Sequence, residues 1–249
     1  MVSGERILLK AKGLEKVLLV AAEGREFAGL LRHCRGGRRL GWPVEFAWSA
    51  ELNGQSLVMV ANGPGPALAG EAVRRTFGQE RVDAVVSTGW CGALDPSLNL
   101  GDILVASRVE ALDQQVGYNA EIPRTERAYR SGCLISLDRV VHSVEEKARW
   151  RAAGAAAVEM EAAAVASEAR RLGVPFFCVR VVMDRAEEGF ALDFNRVRGP
   201  DGRFSRVRLL RAVLARPGLL MPELIRLERQ CRLAARALGD FIADCRFEF

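Results

Sequence analysis

Four short apolar runs, each stopping at a glycine or an acid, set the frame for this chain. They are KVLLVAA before EGRE (16–26), SLVMVA before NGPG (56–65), AVVS before TGWCG (84–92), and FFCVRVVM before Asp184. Runs this short, and rich in Val, Leu and Phe, predict buried strands. GDILVASRVEAL (101–112) and GCLISLDRVV (132–141) predict two more strands. Between them, ALAGEAVRRTFG (67–78), EEKARWRAAG (145–154) and AVEMEAAAVASEARRLG (157–173) have the composition and spacing of helices, the last closed by Gly173. Asn53-Gly54, between PVEFAWSAEL and QSLVMVANG, predicts a tight hairpin. Strands alternating with helices predict an α/β domain with a central mixed, largely parallel sheet flanked by helices.

Ligands of such sheets sit at the carboxyl ends of the strands. That rule collects Glu23–Glu26, Gly63–Gly65, Gly89–Gly92 and Asp184 on one edge. Glycine turns there offer backbone amides to an anion or a sugar oxygen, although glycines at strand ends are more often plain tight turns. An acid at the mouth of a central strand is partly desolvated, which raises its pKa and suits it to proton donation. The competing reading makes Asp184 the cap of a helix beginning at RAEE. Glu26 carries the same ambiguity, because an acid in a first helical turn is favoured by the helix dipole.

Composition narrows the classes. The 249 residues are 49% hydrophobic, with a mean hydropathy of +0.04, enough for one well-buried core. No run of eighteen apolar residues predicts a membrane span, and MVSGERILLKAKG lacks the pattern of a signal peptide. Six cysteines without a CxxC pair, and only His33 and His142, predict no metal site and no serine–histidine triad. Cys91, Cys133 and Cys178 lie in apolar runs and read as buried thiols of a cytoplasmic protein.

The formal net charge of +5 is unevenly spread. Residues 196–236 hold eleven arginines against Asp201, Glu223 and Glu228. Leu220, Leu224, Leu227, Cys231, Ala234, Leu238 and Ile242 recur there at helical spacing, with arginines off the stripe. This predicts a basic amphipathic C-terminal helix packed on the domain, with contact to a membrane surface as the lesser reading. Nucleic acid is not an expected partner, since no aromatics interleave the charges. The expected division is a catalytic unit over 1–195 and a helical extension over 196–249.

The order VLLVAAEGREF, VANGPGPALAGEAVRR, AVVSTGWCGALDPSLNLGDILVAS and AVEMEAAAVASEARRLGVPFFCVRVVMDRAEE resembles the purine nucleoside phosphorylase and methylthioadenosine/adenosylhomocysteine nucleosidase superfamily over residues 16–190. The tail, GPDGRFSRVRLLRAVLARPGLLMPELIRL, more weakly resembles the hopanoid-associated phosphorylase branch, which acts on adenosylhopane.

The resemblance implies cleavage of the N-glycosidic bond of a purine nucleoside, with adenine the expected base, by water or phosphate and without a cofactor. It implies Asp184 as the acid that protonates N7 of the leaving purine and Glu26 as the group that activates the nucleophile. It implies Glu161 on the ribose 2′- and 3′-hydroxyls, Met160 against the sugar, Val140 and Val141 against the base, and Gly63 and Gly89 in the binding loops. Arg180 matches the superfamily's VR pair and is expected to orient an acidic neighbour; Glu159 is expected to be charge at the helix start. A homo-oligomer is also implied.

This chain departs from the family pattern at three places. Trp90 stands in the glycine loop, Met183 replaces a serine before Asp184, and Val140 replaces a stacking aromatic. Ser87 occupies the place where the hexameric phosphorylases carry an arginine, which favours water; Arg25 is the residue left to hold a phosphate. Phe190, Leu192 and Phe194 are available to line a channel for a bulky apolar 5′ group. A nucleoside-binding protein with weak turnover, its pocket narrowed by Trp90, is the rival from another class.

Overall fold

The computed structural model describes residues 14–248. The N-terminal stretch read above for a signal peptide lies outside the described residues. In chain order the strands are β1 (Lys16–Ala21), β2 (Arg35–Arg39), β3 (Phe46–Leu52), β4 (Gln55–Ala61), β5 (Ala84–Ala93), β6 (Ile103–Ala111), β7 (Val116–Asn119), β8 (Arg130–Ser136), β9 (Ala157–Glu159) and β10 (Phe176–Asp184). The helices are α1 (Pro66–Phe77), α2 (Val144–Ala152), α3 (Ala162–Leu172), α4 (Phe194–Val197), α5 (Arg206–Ala215) and α6 (Pro217–Ala243).

All ten strands form one mixed sheet. β1 pairs in parallel with β4 and β5, and β5 in parallel with β10. β10 then pairs with β6, β6 with β8, β8 with β9, and β9 returns antiparallel to the end of β5 at Gly92 and Ala93. The sheet therefore closes on itself as a five-stranded barrel, while β1, β4, β3 and β2 extend from it as an open wing. The hairpin falls where Asn53-Gly54 predicts it, with both residues at positive φ (52° and 79°), as a turn matching the strand twist requires.

Alternate residues of each buried strand face opposite layers. Leu18, Val20, Val58, Val60 and Val85 pack with Ala69, Ala72 and Val73 of α1 and with the alanine face of α3. Val17, Leu19, Leu57, Met59, Val86 and Phe177 pack on the opposite side with Ala234, Leu238, Phe241 and Ile242 of α6. Of the predicted apolar stripe of the C-terminal helix, Ala234, Leu238 and Ile242 cover one face of the sheet, whereas Leu220 packs in a separate cluster with Leu192, Val197 and Val213, against which Leu224 is partly buried.

The structure corrects several expectations. Residues 157–161 are not helical: β9 takes Ala157–Glu159, and α3 begins only at Ala162. The alanine bias favours helix by a fraction of a kcal/mol per residue, whereas the β9 pairings close the barrel and satisfy otherwise buried backbone groups. Gly173 does end α3, in the left-handed conformation at φ 69°. No helix starts at RAEE, so Asp184 ends β10 without capping anything. Cys133 is only half-buried, whereas Cys91, Cys178, Cys231 and Cys245 are buried; all six thiols are free.

The helix α6 reaches the sheet through a contact that only glycine permits. A Cβ on Gly239 would overlap the backbone of Gly29 and Leu30, and one on Gly29 would overlap the carbonyl of Ala235. Both glycines lie where α6 crosses the 3₁₀ turns at Gly24–Phe27 and Leu30–Arg32. With backbone on both sides, the overlap cannot be relieved by a rotamer change. The Gly239→Ala protein is expected to lose about 3 kcal/mol or more, the upper end of overpacking costs, measured as a lower midpoint of thermal or urea unfolding.

Candidate active site

The carboxyl ends of β1, β4, β5 and β10 and the loops around β9 enclose a cavity of about 1180 Å³. Glu26, Gly63, Trp90, Val140, Val141, Met160, Glu161, Met183, Asp184 and Arg25 all line it. Gly89 and Arg180 are not among its lining residues.

Glu26 sits in a 3₁₀ turn at Gly24–Phe27, where its Oε1 accepts the N–H of Glu23 at 2.7 Å. Its Oε2 accepts the N–H of Trp90 at 2.9 Å. The glycine loop leaves room for this carboxylate: at Gly89 (φ 131°) an added Cβ would collide with Glu26 Oε2. Gly89 therefore makes the space that Glu26 occupies. Burial pushes the Glu26 carboxyl up to about 7, against the opposing pull of these backbone donors and of Arg180.

Glu161 occupies the residue before α3, and its Oε1 accepts the N–H of Gly65 at 2.7 Å. Gly65 (φ 99°) itself precedes α1, so the carboxylate lies at the positive end of that helix. Burial, and then the nearby Glu159 carboxylate, raise the pKa of Glu161.

Glu159 is not simply charge at a helix start. It projects from β9, lines the cavity, and accepts the N–H groups of Glu161 and Ala162 at 2.9 Å, so it holds the first amides of α3 from outside the helix. It also forms a buried ion pair with Arg180 of β10. Arg180 in turn donates to Ser87 Oγ at 2.7 Å and to the carbonyl of Thr88. The guanidinium thus lies behind the cavity, tying three strands of the barrel, and Ser87 is its buried acceptor.

Asp184 pairs with Gly92 across a bulge that falls between Val182 and Asp184. Bulges re-aim side chains next to sites of this kind. The bulge carries Met183 into the cavity lining, and a Cβ on Gly92 would come within 3.0 Å of Asp184 Oδ2. The partner of Asp184 is a residue that sequence reasoning missed. Lys147 of α2 is fully buried, forms an ion pair with Asp184, and donates to the carbonyls of Arg185 (2.6 Å) and Glu188 (2.9 Å). In EEKARWRAAG nothing separates this lysine from an ordinary solvated one. Burial raises Asp184 to about 6, with Lys147 opposing the rise.

Trp90 forms part of the wall without filling the cavity. The Arg25 guanidinium stacks over its ring at 4.8 Å from the centroid and also bonds Glu23 and, at 3.1 Å, Glu228. Phe190 and Phe194 line the cavity as expected, but Leu192 does not: it is buried with Val197, Val213 and Leu220. Further wall comes from the C-terminal segment, which the sequence offered as a packed helix and not as part of a site. Arg203, Phe204, Leu209, Leu224 and Leu227 of the C-terminal segment face the cavity, and Arg203 donates to the carbonyl of Asn62 at 3.0 Å.

A barrel closed at one end of a mixed sheet, with four buried carboxylates (Glu26, Glu159, Glu161 and Asp184) lining one cavity at the strand ends, defines an α/β protein with a concave site rich in buried acids. Residues 16–129 and 117–214 match the model of the phosphorylase superfamily, and the chain belongs to it. It is 30% identical, over 171 residues, to the 5′-methylthioadenosine/S-adenosylhomocysteine nucleosidase of Staphylococcus aureus strain JH9, covering 58% of this chain and 75% of that protein.

The fold is shared with the nucleosidase of the same name from Neisseria meningitidis, solved with methylthio-immucillin-A. The TM-score is 0.71 at 22% identity, covering 93% of this chain and 98% of that one. The futalosine hydrolase of Helicobacter pylori superposes with a TM-score of 0.67 at 17% identity, covering 92% and 96%.

The raised carboxyls give the stability a definite pH dependence. Glu26 binds its proton more tightly in the folded chain (about 7) than at its ordinary value of 4.5. Its stabilising contribution is therefore complete below pH 4.5 and is lost as pH rises through about 7. The melting temperature of the wild type is expected to fall across that window by the equivalent of about 3 kcal/mol from this group. Glu26→Gln should flatten the slope, measured by calorimetry at successive pH values.

Proposed function

We propose that the protein cleaves the N-glycosidic bond of a purine nucleoside, adenine being the expected base, and releases the free base. The observation that carries this reading is the convergence of Glu26, Glu161 and Asp184 on one cavity, each buried and each held by named donors. Superfamily membership and the nucleosidases among the relatives support it.

As N9–C1′ breaks, the bonding electrons pass to the base, and the proton of Asp184 goes to N7, so that a neutral purine leaves. Water loses a proton to Glu26 as its oxygen bonds C1′. Glu161 accepts from the two ribose hydroxyls, for which a carboxylate offers two acceptor oxygens. In its ionised form its charge also favours the oxocarbenium-like sugar. Met160 packs on the sugar, and Val140 and Val141 on the base. The backbone N–H and C=O of Val140 are fixed by Asn195 at 2.9 Å each, which steadies that wall.

Water is the favoured nucleophile. Arg25, the arginine beside Glu26, is already neutralised by Glu23 and Glu228, and Ser87 is engaged with Arg180. Arg25 therefore has no charge in reserve for a phosphate, and Ser87 carries none. The extension 196–249 acts as part of the same unit, since Arg203, Phe204 and Leu209 complete the cavity wall. One observation favours a second reading within this class: Phe190, Phe194, Phe204, Leu209, Leu224 and Leu227 make one side apolar, which fits a nucleoside with a large apolar 5′ substituent such as an adenosylhopane-like lipid. A cytoplasmic homo-oligomer without a cofactor is the accompanying expectation.

Incubation with adenosine, inosine, methylthioadenosine and an adenosylhopane analogue, with and without phosphate, should release free base from at least one of them. Asp184→Asn should slow that release by roughly 10²–10⁴-fold, the usual contribution of a general acid. Binding of a nucleoside without release would instead identify a binding protein.

The pH profile of kcat/KM should be bell-shaped, with limbs near the carboxyl values of about 6 and about 7. Lys147→Met removes the charge that opposes the rise of Asp184. The profile should therefore move to higher pH in a full pH–rate series; an unmoved profile would detach Lys147 from the acid.

A further inference from the structure

Ten large hydrophobic side chains are exposed among the described residues, and seven of them fall between Val207 and Leu233. On α5, Val207 (59% exposed), Leu210 (58%) and Leu214 (69%) recur on one side of the helix. On α6, Met221, Ile225 and Leu233 line a shallow groove together with Pro217, Pro222 and Arg229. Only Arg216 separates the two helices, so Leu214, Leu219 and Met221 flank the corner they form.

The same stretch is basic, and its acids are committed elsewhere. Glu223 accepts the N–H groups of Ala191 and Leu192, Glu228 pairs with Arg25 and Arg232, and Asp201 accepts the N–H of Arg203. Arg211, Arg216 and Arg229 have no ion-pair partner among the described residues and are exposed, whereas Arg206, also unpaired, lines the cavity.

We infer that the α5–α6 corner docks on the surface of an anionic phospholipid bilayer. Aliphatic side chains enter the headgroup boundary while arginines, whose long stems keep their charge at the interface, meet lipid phosphates. Charge complementarity selects this occupant over the others. A second copy of the chain seated on this face would set arginines against arginines. A nucleic acid would leave seven aliphatic side chains with nothing to stack on or pair with.

The inner sides of the same helices supply Leu209, Leu224 and Leu227 to the cavity wall, so the docked face and the cavity lie on opposite sides of one helical layer. No helix of the described residues is long and apolar enough to cross a membrane, in keeping with a peripheral attachment. The inference does not depend on the base-cleaving reading, because partition onto lipid is measured without turnover.

The test is flotation of the full chain with vesicles of phosphatidylcholine alone and of phosphatidylcholine mixed with phosphatidylglycerol. The protein should float with the anionic vesicles only and detach as salt is raised. Arg211→Glu with Arg229→Glu, and separately Leu214→Ser with Ile225→Ser, should each lower the partition coefficient by roughly tenfold or more without changing the melting temperature.

Failure to bind anionic vesicles overturns the inference, as does equal binding to neutral ones, or binding that both double variants leave unchanged. Light scattering on the same proteins supplies a further check. If the serine variant splits an oligomer while vesicle partition is unaffected, the face is a subunit contact and the inference fails.

Discussion

Beneath the cavity, Arg180 and Glu159 form an ion pair with about 1% of either side chain exposed. Removing two charges from water costs several kcal/mol each, so such a pair is a poor source of net stability. Its value here is positional. Arg180 stands on β10, its acceptors Ser87 and Thr88 belong to β5, and Glu159 belongs to β9. The guanidinium therefore fixes three of the five barrel strands relative to one another at the level where the cavity begins. Through Glu159 it also fixes the first amides of α3, and with them the direction in which Glu161 leaves the backbone.

The two other carboxylates are set by different means. Glu26 depends on an absence: the space a side chain at Gly89 would take is the space its carboxylate occupies. Asp184 depends on a bulge that turns it toward Gly92, and on one buried lysine. In each case burial works against ionisation, and the local donors or cation limit the rise. The result is a pair of groups that titrate near neutrality, where a proton can be both held and given up. The same desolvation makes the site a place where the folded chain is weakened as pH rises, so acid–base competence and stability pull in opposite directions.

Much of this was legible in the sequence. Strand ends, glycine turns and the acids beside them follow from short continuous apolar runs, and they locate Glu26, Gly63 and Asp184 at one sheet edge. The Asn53-Gly54 hairpin and the Gly173 stop are local chemistry and read directly. Barrel closure was not legible, because β9 is three residues long and its alanines favour helix; only long-range pairing makes it a strand. Lys147 was not legible either, since burial of a single lysine on a charged helix depends on what packs above it. Gly89 and Arg180 illustrate a subtler limit. Sequence order places them in the site, but whether such a residue touches the ligand or holds a neighbour that does is decided in three dimensions.

The C-terminal segment shows how one amphipathic pattern can carry three constraints at once. A helix with a single apolar stripe buries that stripe and leaves charge outside. α6 does bury Ala234, Leu238 and Ile242 against the sheet, at a crossing so close that Gly29 and Gly239 must both be glycine. Its earlier turns, with α5, face the cavity through Leu209, Leu224 and Leu227. Yet Leu214, Met221 and Ile225 remain exposed beside arginines, which neither role requires. Uncovered aliphatic surface has a cost in water, and a cluster of it on one corner calls for a separate cause. Contact with an anionic surface supplies one that uses the apolar row and the surplus positive charge together.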